Sequence, residues 1–307
     1  MSVISGILEI LGSLGVFLFG MKVMSEGIQK TAGEKLRRIL ETMTTNRFAG
    51  VFTGFIITCL VQSSSATTVM VVSFVNAGLL NLMQSIGVIM GANIGTTITG
   101  WMVSILGFKF KIASIALPAI GIGLPLYFSK KNKLRDYGEV LIGFGLLFLG
   151  LMFLKSSVPD IKSNPEVLEF LAGWSGYGFP SRIIFVVVGI LLTIIVQSSS
   201  AAMTITITMA AMGWIDFPTA CAVVLGENIG TTITAYLASI PGNVSAKRAA
   251  RAHMIFNFAG TLWMFILFVP FLQLVDYLAP GDPTIAEDIP IHMALFHTIF
   301  NITNVVY

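Results

Sequence analysis

Stretches of roughly fifteen to thirty residues with almost no charge recur along this chain, beginning with the run from Ile4 to Met24. Water does not solvate so much contiguous apolar surface, whereas a hydrocarbon core about 30 Å thick takes about 20 apolar residues per helical crossing. Of the 307 residues, 55% are hydrophobic and 11% charged, where a soluble domain has about 25% charged. A soluble globular enzyme is thereby excluded. The runs are far longer than the roughly 10-residue alternating segments of a membrane β-strand, and 30 Gly and 11 Pro also argue against a barrel. Every backbone N–H and C=O must find a partner in lipid, so the fold class is all-α and polytopic, at home in a cell (plasma or inner) membrane. A net charge of +3 offers no nucleic-acid surface, and the basic residues matter by position.

Two of the runs in each half are interrupted by polar residues. Phe48 to Leu80 contains Gln62-Ser63-Ser64-Ser65, and Met83 to Leu106 contains Gly91-Ala92-Asn93-Ile94-Gly95-Thr96-Thr97. Ile183 to Gly213 contains Gln197-Ser198-Ser199-Ser200, and Phe217 to Ile240 contains Gly226-Glu227-Asn228-Ile229-Gly230-Thr231-Thr232. A shift of 135 residues superposes Gln62 on Gln197, Asn93 on Asn228 and Thr97 on Thr232 without a gap. The chain is therefore an internal repeat, residues 1–137 and 138–307. Ser25 to Thr45 reads as a separate amphipathic helix with a basic face on the membrane surface, and the polar stretch from Ser156 to Tyr177 takes its place in the second half.

Orientation follows from Lys and Arg. If each QSSS segment is a re-entrant hairpin and every other run crosses, the stretches Lys22–Arg47, Lys130–Arg135 and Lys247–Arg251 share one face and hold six, four and three of the 18 basic residues. That face is cytoplasmic. The opposite face receives Lys109, Lys111, Lys155, Lys162, Arg182 and the acidic loop before Pro290. The two hairpins then enter from opposite sides, giving two inverted-topology repeats, each with a re-entrant hairpin and a broken helix. Such halves meeting near the midplane are the architecture of secondary transporters.

The breaks carry the chemistry. Gln offers an amide donor and acceptor and each Ser a rotatable hydroxyl, a set that suits an oxyanion or a dehydrated small cation, and a helix restarting after QSSS presents free N–H groups and its positive end, which favours phosphate or sulfate. Gln62, Ser63, Ser64, Ser65, Gln197, Ser198, Ser199 and Ser200 are accordingly the anion-site candidates. In G-[AE]-N-I-G-T-T the glycines are expected to unwind the helix, and oxygen-rich unwound backbone is how transporters hold Na⁺. Asn93, Thr96, Thr97, Asn228, Thr231 and Thr232 are the corresponding ion ligands, with Thr67 beside them. Glu227, where the first half has Ala92, is a carboxylate amid apolar residues. It either completes a cation site, carries a proton, or pairs with a neighbouring donor.

Other features carry less. Cys59 and Cys221 lie in apolar stretches and read as small packing residues. His253-Met254-Ile255-Phe256-Asn257 recurs 44 residues on as His297-Thr298-Ile299-Phe300-Asn301, two segments that could face each other or the site, with helix-to-helix hydrogen bonding the plainer reading. His292 is expected to be solvated at the outer boundary. The N-terminus has no charged n-region or cleavage signature and reads as a retained span, and the uncapped apolar ending at Tyr307 suggests that the natural chain continues.

With QSSSATT, GANIGTT, QSSSAAM, GENIGTT and the two H-x-x-F-N segments in view, the sequence resembles the sodium-dependent phosphate cotransporter family, the type II Na⁺/phosphate cotransporters and their bacterial relatives, over nearly its whole length. The duplicated QSSS is specific to that family. The resemblance implies symport of inorganic phosphate with Na⁺ as coupling ion, no other cofactor or metal, no catalytic residue, a lipid bilayer as surroundings and a homodimer as the assembly to allow for. It also implies alternating access around a midplane site at the two QSSS hairpins and the GxNIGTT segments, and, beyond Tyr307, a cytoplasmic helical domain similar to the phosphate-uptake regulator PhoU. Two positions depart from symmetry: Ala202 and Met203 stand where the first half has Thr67 and Thr68, and Glu227 has no partner acid. No Lys or Arg lies in the motifs, so the coupled cation is expected to neutralise the anion in low dielectric.

Overall fold

The computed structural model describes residues 3–42, 46–109, 113–157 and 178–306. These residues are helical with short connections and no strand among them. In chain order the helices are α1 (Val3–Thr42), α2 (Arg47–Val61), α3 (Ser64–Asn76), α4 (Leu82–Trp101) with a π-helical continuation (Met102–Lys109), α5 (Ala113–Tyr127), α6 (Asn132–Ser157), α7 (Phe179–Val196), α8 (Ser199–Ala211), α9 (Phe217–Ser239), α10 (Val244–Leu278) and α11 (Ile289–Val306). Seven stretches are long and apolar enough to cross a membrane, and the chain is a multi-pass membrane protein. The segment 25–45 departs from expectation: up to Thr42 it continues α1 without a break, since no Pro or capping Gly stops the helix. Most of the matching stretch in the second half, 158–177, lies outside the described residues.

The chain forms two compact units, each drawing on both sequence halves. The first comprises Met1–Glu34 and Met102–Glu169. Within it α1 and α6 run antiparallel at glycine-spaced contacts: a Cβ on Gly20 would strike the Leu147 backbone, and one on Gly143 or Gly150 would strike Met24 or Phe17. Without a hydrophobic force between helices in lipid, such close backbone approach is what holds them together. Lys30 pairs with Glu139 at 2.5 Å, and Lys155 donates to the Gly107 carbonyl with its ammonium over the Phe108 ring.

The second unit, Lys35–Trp101 and Phe170–Tyr307, contains every polar motif. α2 packs along α4 in parallel: Gly54 lies on the Val88 carbonyl, Gly91 on the Val51 carbonyl and Gly95 on Thr58. Residue for residue at the 135 offset, Gly189 lies on the Val223 carbonyl, Gly226 on the Val186 carbonyl and Gly230 on Thr193, which joins α7 to α9 in the same way. Helices α2, α3 and α8, of 15, 13 and 13 residues, span about 20 Å each at 1.5 Å per residue and are too short to cross alone. Since α4 starts beside the start of α2, the intervening α3 must return to that end, so α2–α3 is a helical hairpin, and α7–α8 is its counterpart.

The open end of the first hairpin is tied to a later part of the chain. Asn243, the N-cap of α10, donates its backbone N–H to the Asn76 side chain at 2.8 Å and its amide to the Asn76 carbonyl at 3.0 Å. At the other end of α10, Asp282 accepts from the Thr284 hydroxyl and amide and Asp288 accepts from the Asp282 amide, closing the loop to α11. Those Thr284 bonds hold the exposed Asp282 carboxyl below its ordinary range. Gly281 has φ 97°, and a Cβ there would strike Asp288.

Candidate functional site

Each hairpin turns on a glutamine. Gln62 (φ 55°, ψ 27°) and Gln197 (φ 57°, ψ 22°) end α2 and α7 in the left-handed region, the two non-glycine residues found there among the described residues. That conformation costs an L-residue about 1–2 kcal/mol. The side chain offsets part of it: the Gln62 amide donates to the Cys59 carbonyl and the Gln197 amide to the Ile194 carbonyl, both at 2.5 Å, using carbonyls that a helix end leaves without partners. The next residue in each motif is extended and caps the following helix. Ser63 Oγ accepts from the Ala66 N–H at 3.1 Å and Ser198 Oγ from the Ala201 N–H at 3.3 Å.

The second serine of each motif points elsewhere. Ser64 and Ser199, both buried, approach to 3.4 Å between Oγ atoms, so equivalent positions of the two halves meet at the hairpin tips. Each stands in the first turn of its helix, where backbone N–H groups lack intrahelical acceptors and the helix dipole is positive. The third serine extends the contact on one side only. Ser200 Oγ donates to Thr99 Oγ1 at 3.4 Å, and Thr99 Oγ1 donates to Gln62 Oε1 at 3.1 Å. Gln62 is buried, while Gln197 is exposed. Thr67 lies beneath this layer, wholly buried, accepting from Thr58 Oγ1 at 3.2 Å and donating to the Ser63 carbonyl. In the second half the buried Ala202 takes the place of Thr67, and Met203, at the place of Thr68, is buried and reaches to Gly100.

The second motif does not break its helix. α4 runs unbroken through Gly91–Thr97 and α9 through Gly226–Thr232. The expected unwinding at GxNIGTT is thus corrected: the glycines serve the close approach of α2 and α7, and the threonines satisfy themselves inside the helix. Thr96 and Thr231 donate to the carbonyls of Ala92 and Glu227, Thr97 and Thr232 to those of Ile94 and Ile229. A hydroxyl whose hydrogen is spent on a carbonyl presents only lone pairs outward, which suits a cation. Asn93 turns its amide back to the Ile89 carbonyl at 3.3 Å. Asn228 instead accepts at Oδ1 from His297 Nε2 at 3.2 Å. Glu227, 3% exposed, accepts from Thr206 Oγ1 at 2.6 Å, so a neighbouring donor is present.

Thr99, Thr206 and Thr58 are absent from the candidates read off the sequence. The motif in fact continues as GTTIT, with Thr99 and Thr234 at the same 135 offset, and that signal was legible. Thr206 lies in Thr204-Ile205-Thr206-Ile207-Thr208, whose alternation does not tell which hydroxyl turns inward. His292 is corrected as well: it is fully buried, its Nδ1 3.0 Å from the Asp288 carbonyl and its Nε2 3.4 Å from Asp276, because the start of α11 is covered by α9 through Phe217.

Comparison with known proteins gives the family. The profile of the Na⁺/Pi-cotransporter family matches residues 16–156 and 178–274. A Bacillus subtilis protein, YqeW, described as uncharacterized, is 32% identical over 93% of this chain and 88% of its own length. The Escherichia coli K12 protein YjbB, named a putative inorganic phosphate export protein, is 30% identical over 88% of this chain, which spans 47% of it. The rat sodium-dependent phosphate transport protein 2A is 38% identical over 98 residues, 31% of this chain and 15% of that protein. No solved structure gives a significant match. With its profile matched on both sides of the undescribed segment and both QSSS hairpins inside the match, the chain belongs to the Na⁺/Pi-cotransporter family.

Proposed function

We propose that this chain carries inorganic phosphate across the membrane together with Na⁺, by alternating access around a site at the tips of the two QSSS hairpins. The observation that carries the reading is the meeting of Ser64 and Ser199. It brings two helix N-termini and two buried hydroxyls to one point with no Lys or Arg in either motif. A phosphate held there by hydroxyls, the Gln62 amide and helix ends leaves much of its charge uncompensated in low dielectric. Na⁺ at the lone-pair-rich faces of Asn93, Thr96, Thr97, Asn228, Thr231 and Thr232, with Glu227, supplies the missing charge, which makes binding of the two ions interdependent. Thr67 supports the first-half side of that layer.

The two halves, 1–137 and 138–307, are read as inverted repeats. The Asn76–Asn243 contact supports this: α9 ends just before Asn243 and so ends where the first hairpin opens, while the second hairpin opens where α9 begins. A transporter rather than an enzyme fits the serine environment: among the described residues the partners of Ser63, Ser64, Ser198, Ser199 and Ser200 are hydroxyls and backbone amides, and none is a base that would activate a nucleophile. Labelled phosphate uptake into proteoliposomes tests the reading. Uptake should require Na⁺, and indifference to replacing Na⁺ by K⁺ at constant ionic strength would sink it.

A further inference from the structure

The duplicated H-x-I-F-N segments are not absorbed by the reading above, on which this inference rests. Helix α10 packs on α3, α4 and α9, and α11 packs on α8, α9 and α4. Exchanging the halves by the 135 offset turns α3 into α8 and α4 into α9, and so turns one contact set into the other. The local bonding is also duplicated: Asn257 donates its amide to the His253 carbonyl at 3.0 Å, and Asn301 donates to the His297 carbonyl at 2.8 Å. α11 uses its histidine against a motif residue, through His297 Nε2 and Asn228 Oδ1. The depth of His253 matches that of the other motif asparagine. It lies ten residues into α10 from Asn243, and Asn93 lies eleven residues into α4 from Leu82, both counted from the end held together at Asn76, about 15 and 16 Å at 1.5 Å per residue.

His253 is 1% exposed, and neither ring nitrogen has a partner. A buried unpaired polar group costs about 1–3 kcal/mol and needs an explanation. The two asparagines show the two ways of paying one cost. Asn93 bonds back to its own helix at Ile89 and His253 has no hydrogen-bond partner, while Asn228 bonds to His297 and its own amide Nδ2 is unpartnered.

We propose that His253 and His297 are matched positioning residues, each serving the asparagine of one GxNIGTT motif, and that His253 takes Asn93 when His297 releases Asn228. The asparagine oxygens offered to Na⁺ are thereby reset in opposite senses in the two halves. The test uses purified full-length chain lacking its two cysteines (Cys59→Ala, Cys221→Ala) and carrying either the pair His253→Cys and Asn93→Cys or the control pair His297→Cys and Asn228→Cys, each bridged with mercuric ion. Both pairs should bridge, and adding Na⁺ with phosphate should raise one yield and lower the other by about twofold or more. A control that bridges beside a His253–Asn93 pair that never does, or yields that move together, would overturn the proposal whether or not the protein transports phosphate. Side-resolved phosphate uptake gives a second readout in variants that keep the native cysteines. His253→Ala and His297→Ala should each change the half-saturating Na⁺ mainly at one face, opposite faces for the two, with His253→Gln and His297→Gln, which retain a donor, restoring most of it. Equal changes at both faces, with wild-type uptake intact, would indicate only a structural role and overturn the proposal while leaving the transport reading in place.

Discussion

Ser64 and Ser199, 135 residues apart in sequence, stand with their hydroxyl oxygens 3.4 Å apart in the buried interior. Each is the second serine of its motif, and each is delivered by the same local device: a left-handed glutamine that ends one helix and a serine that caps the next. The contact joins the two halves at one pair of equivalent atoms, so the pair is expected to act as a unit.

Replacing either serine by alanine should weaken phosphate binding. One hydrogen bond to a charged group contributes about 1.5–3 kcal/mol, so Ser64→Ala and Ser199→Ala should each raise the half-saturating phosphate about tenfold or more. The double variant should lose less than the sum, since each single change also removes the other's partner. Phosphate titrations of the four proteins close the cycle, and strict additivity would show that the two hydroxyls do not share a ligand.

The glutamine turns separate folding from binding. Gln197→Gly should leave thermal stability unchanged or raise it slightly, because glycine adopts positive φ without penalty, whereas Gln62→Gly should also lower phosphate transport several-fold through loss of the buried amide placed beside the anion. Gln197→Val should lower stability by about 1–2 kcal/mol, a β-branched residue being poorly tolerated at positive φ. Thermal unfolding in detergent together with uptake distinguishes the two effects, and equal melting temperatures for the two Gln197 variants would contradict the strain argument.

Helix contact through glycine makes a sharper stability prediction. A Cβ at Gly226 collides with the Val186 carbonyl, whereas one at Gly121 in α5 meets nothing within 4 Å. Gly226→Ala should destabilise by about 1–3 kcal/mol or more, the usual cost of overpacking, and Gly121→Ala should be neutral or stabilising by up to about 1 kcal/mol from helix propensity. Monodispersity and melting temperature of the two purified variants report this directly.

Glu227 and Thr206 should be coupled. Glu227→Gln keeps the shape and an acceptor for the Thr206 hydroxyl but removes the charge, and should raise the half-saturating Na⁺ at least tenfold with a smaller change for phosphate measured at saturating Na⁺. Thr206→Val removes the donor 2.6 Å from the carboxylate and should shift Na⁺ affinity in wild type but have little further effect on top of Glu227→Gln. An unaltered Na⁺ dependence in Glu227→Gln would remove the carboxylate from the cation site.

The motifs and their spacing were plain in the sequence because an internal repeat preserves them at one offset, and QSSS in an apolar run marks a helix interruption by composition alone. The second motif misled, since Gly and Thr in a membrane segment read equally as unwinding or as close packing. The choice between them is made by what faces the glycine: the Val51 carbonyl for Gly91 and the Val186 carbonyl for Gly226. Thr206 was illegible for a related reason, as its hydroxyl acquires meaning only from Glu227, which α9 brings alongside.

By itself the sequence determined that this is an all-α membrane protein built on a duplication, that its polar residues are concentrated in two pairs of motifs, and which family it resembles. Hydropathy and repeat offset are properties of the chain read in order, and they survive any arrangement of the helices. Tertiary structure alone decided that the first serine of each motif caps a helix while the second meets its counterpart, that GxNIGTT stays helical, and that His297 reaches Asn228 while His253 stands without a partner. Those outcomes depend on which carbonyl, hydroxyl or ring lies across the helix interface, and a buried polar side chain takes its direction from that neighbour.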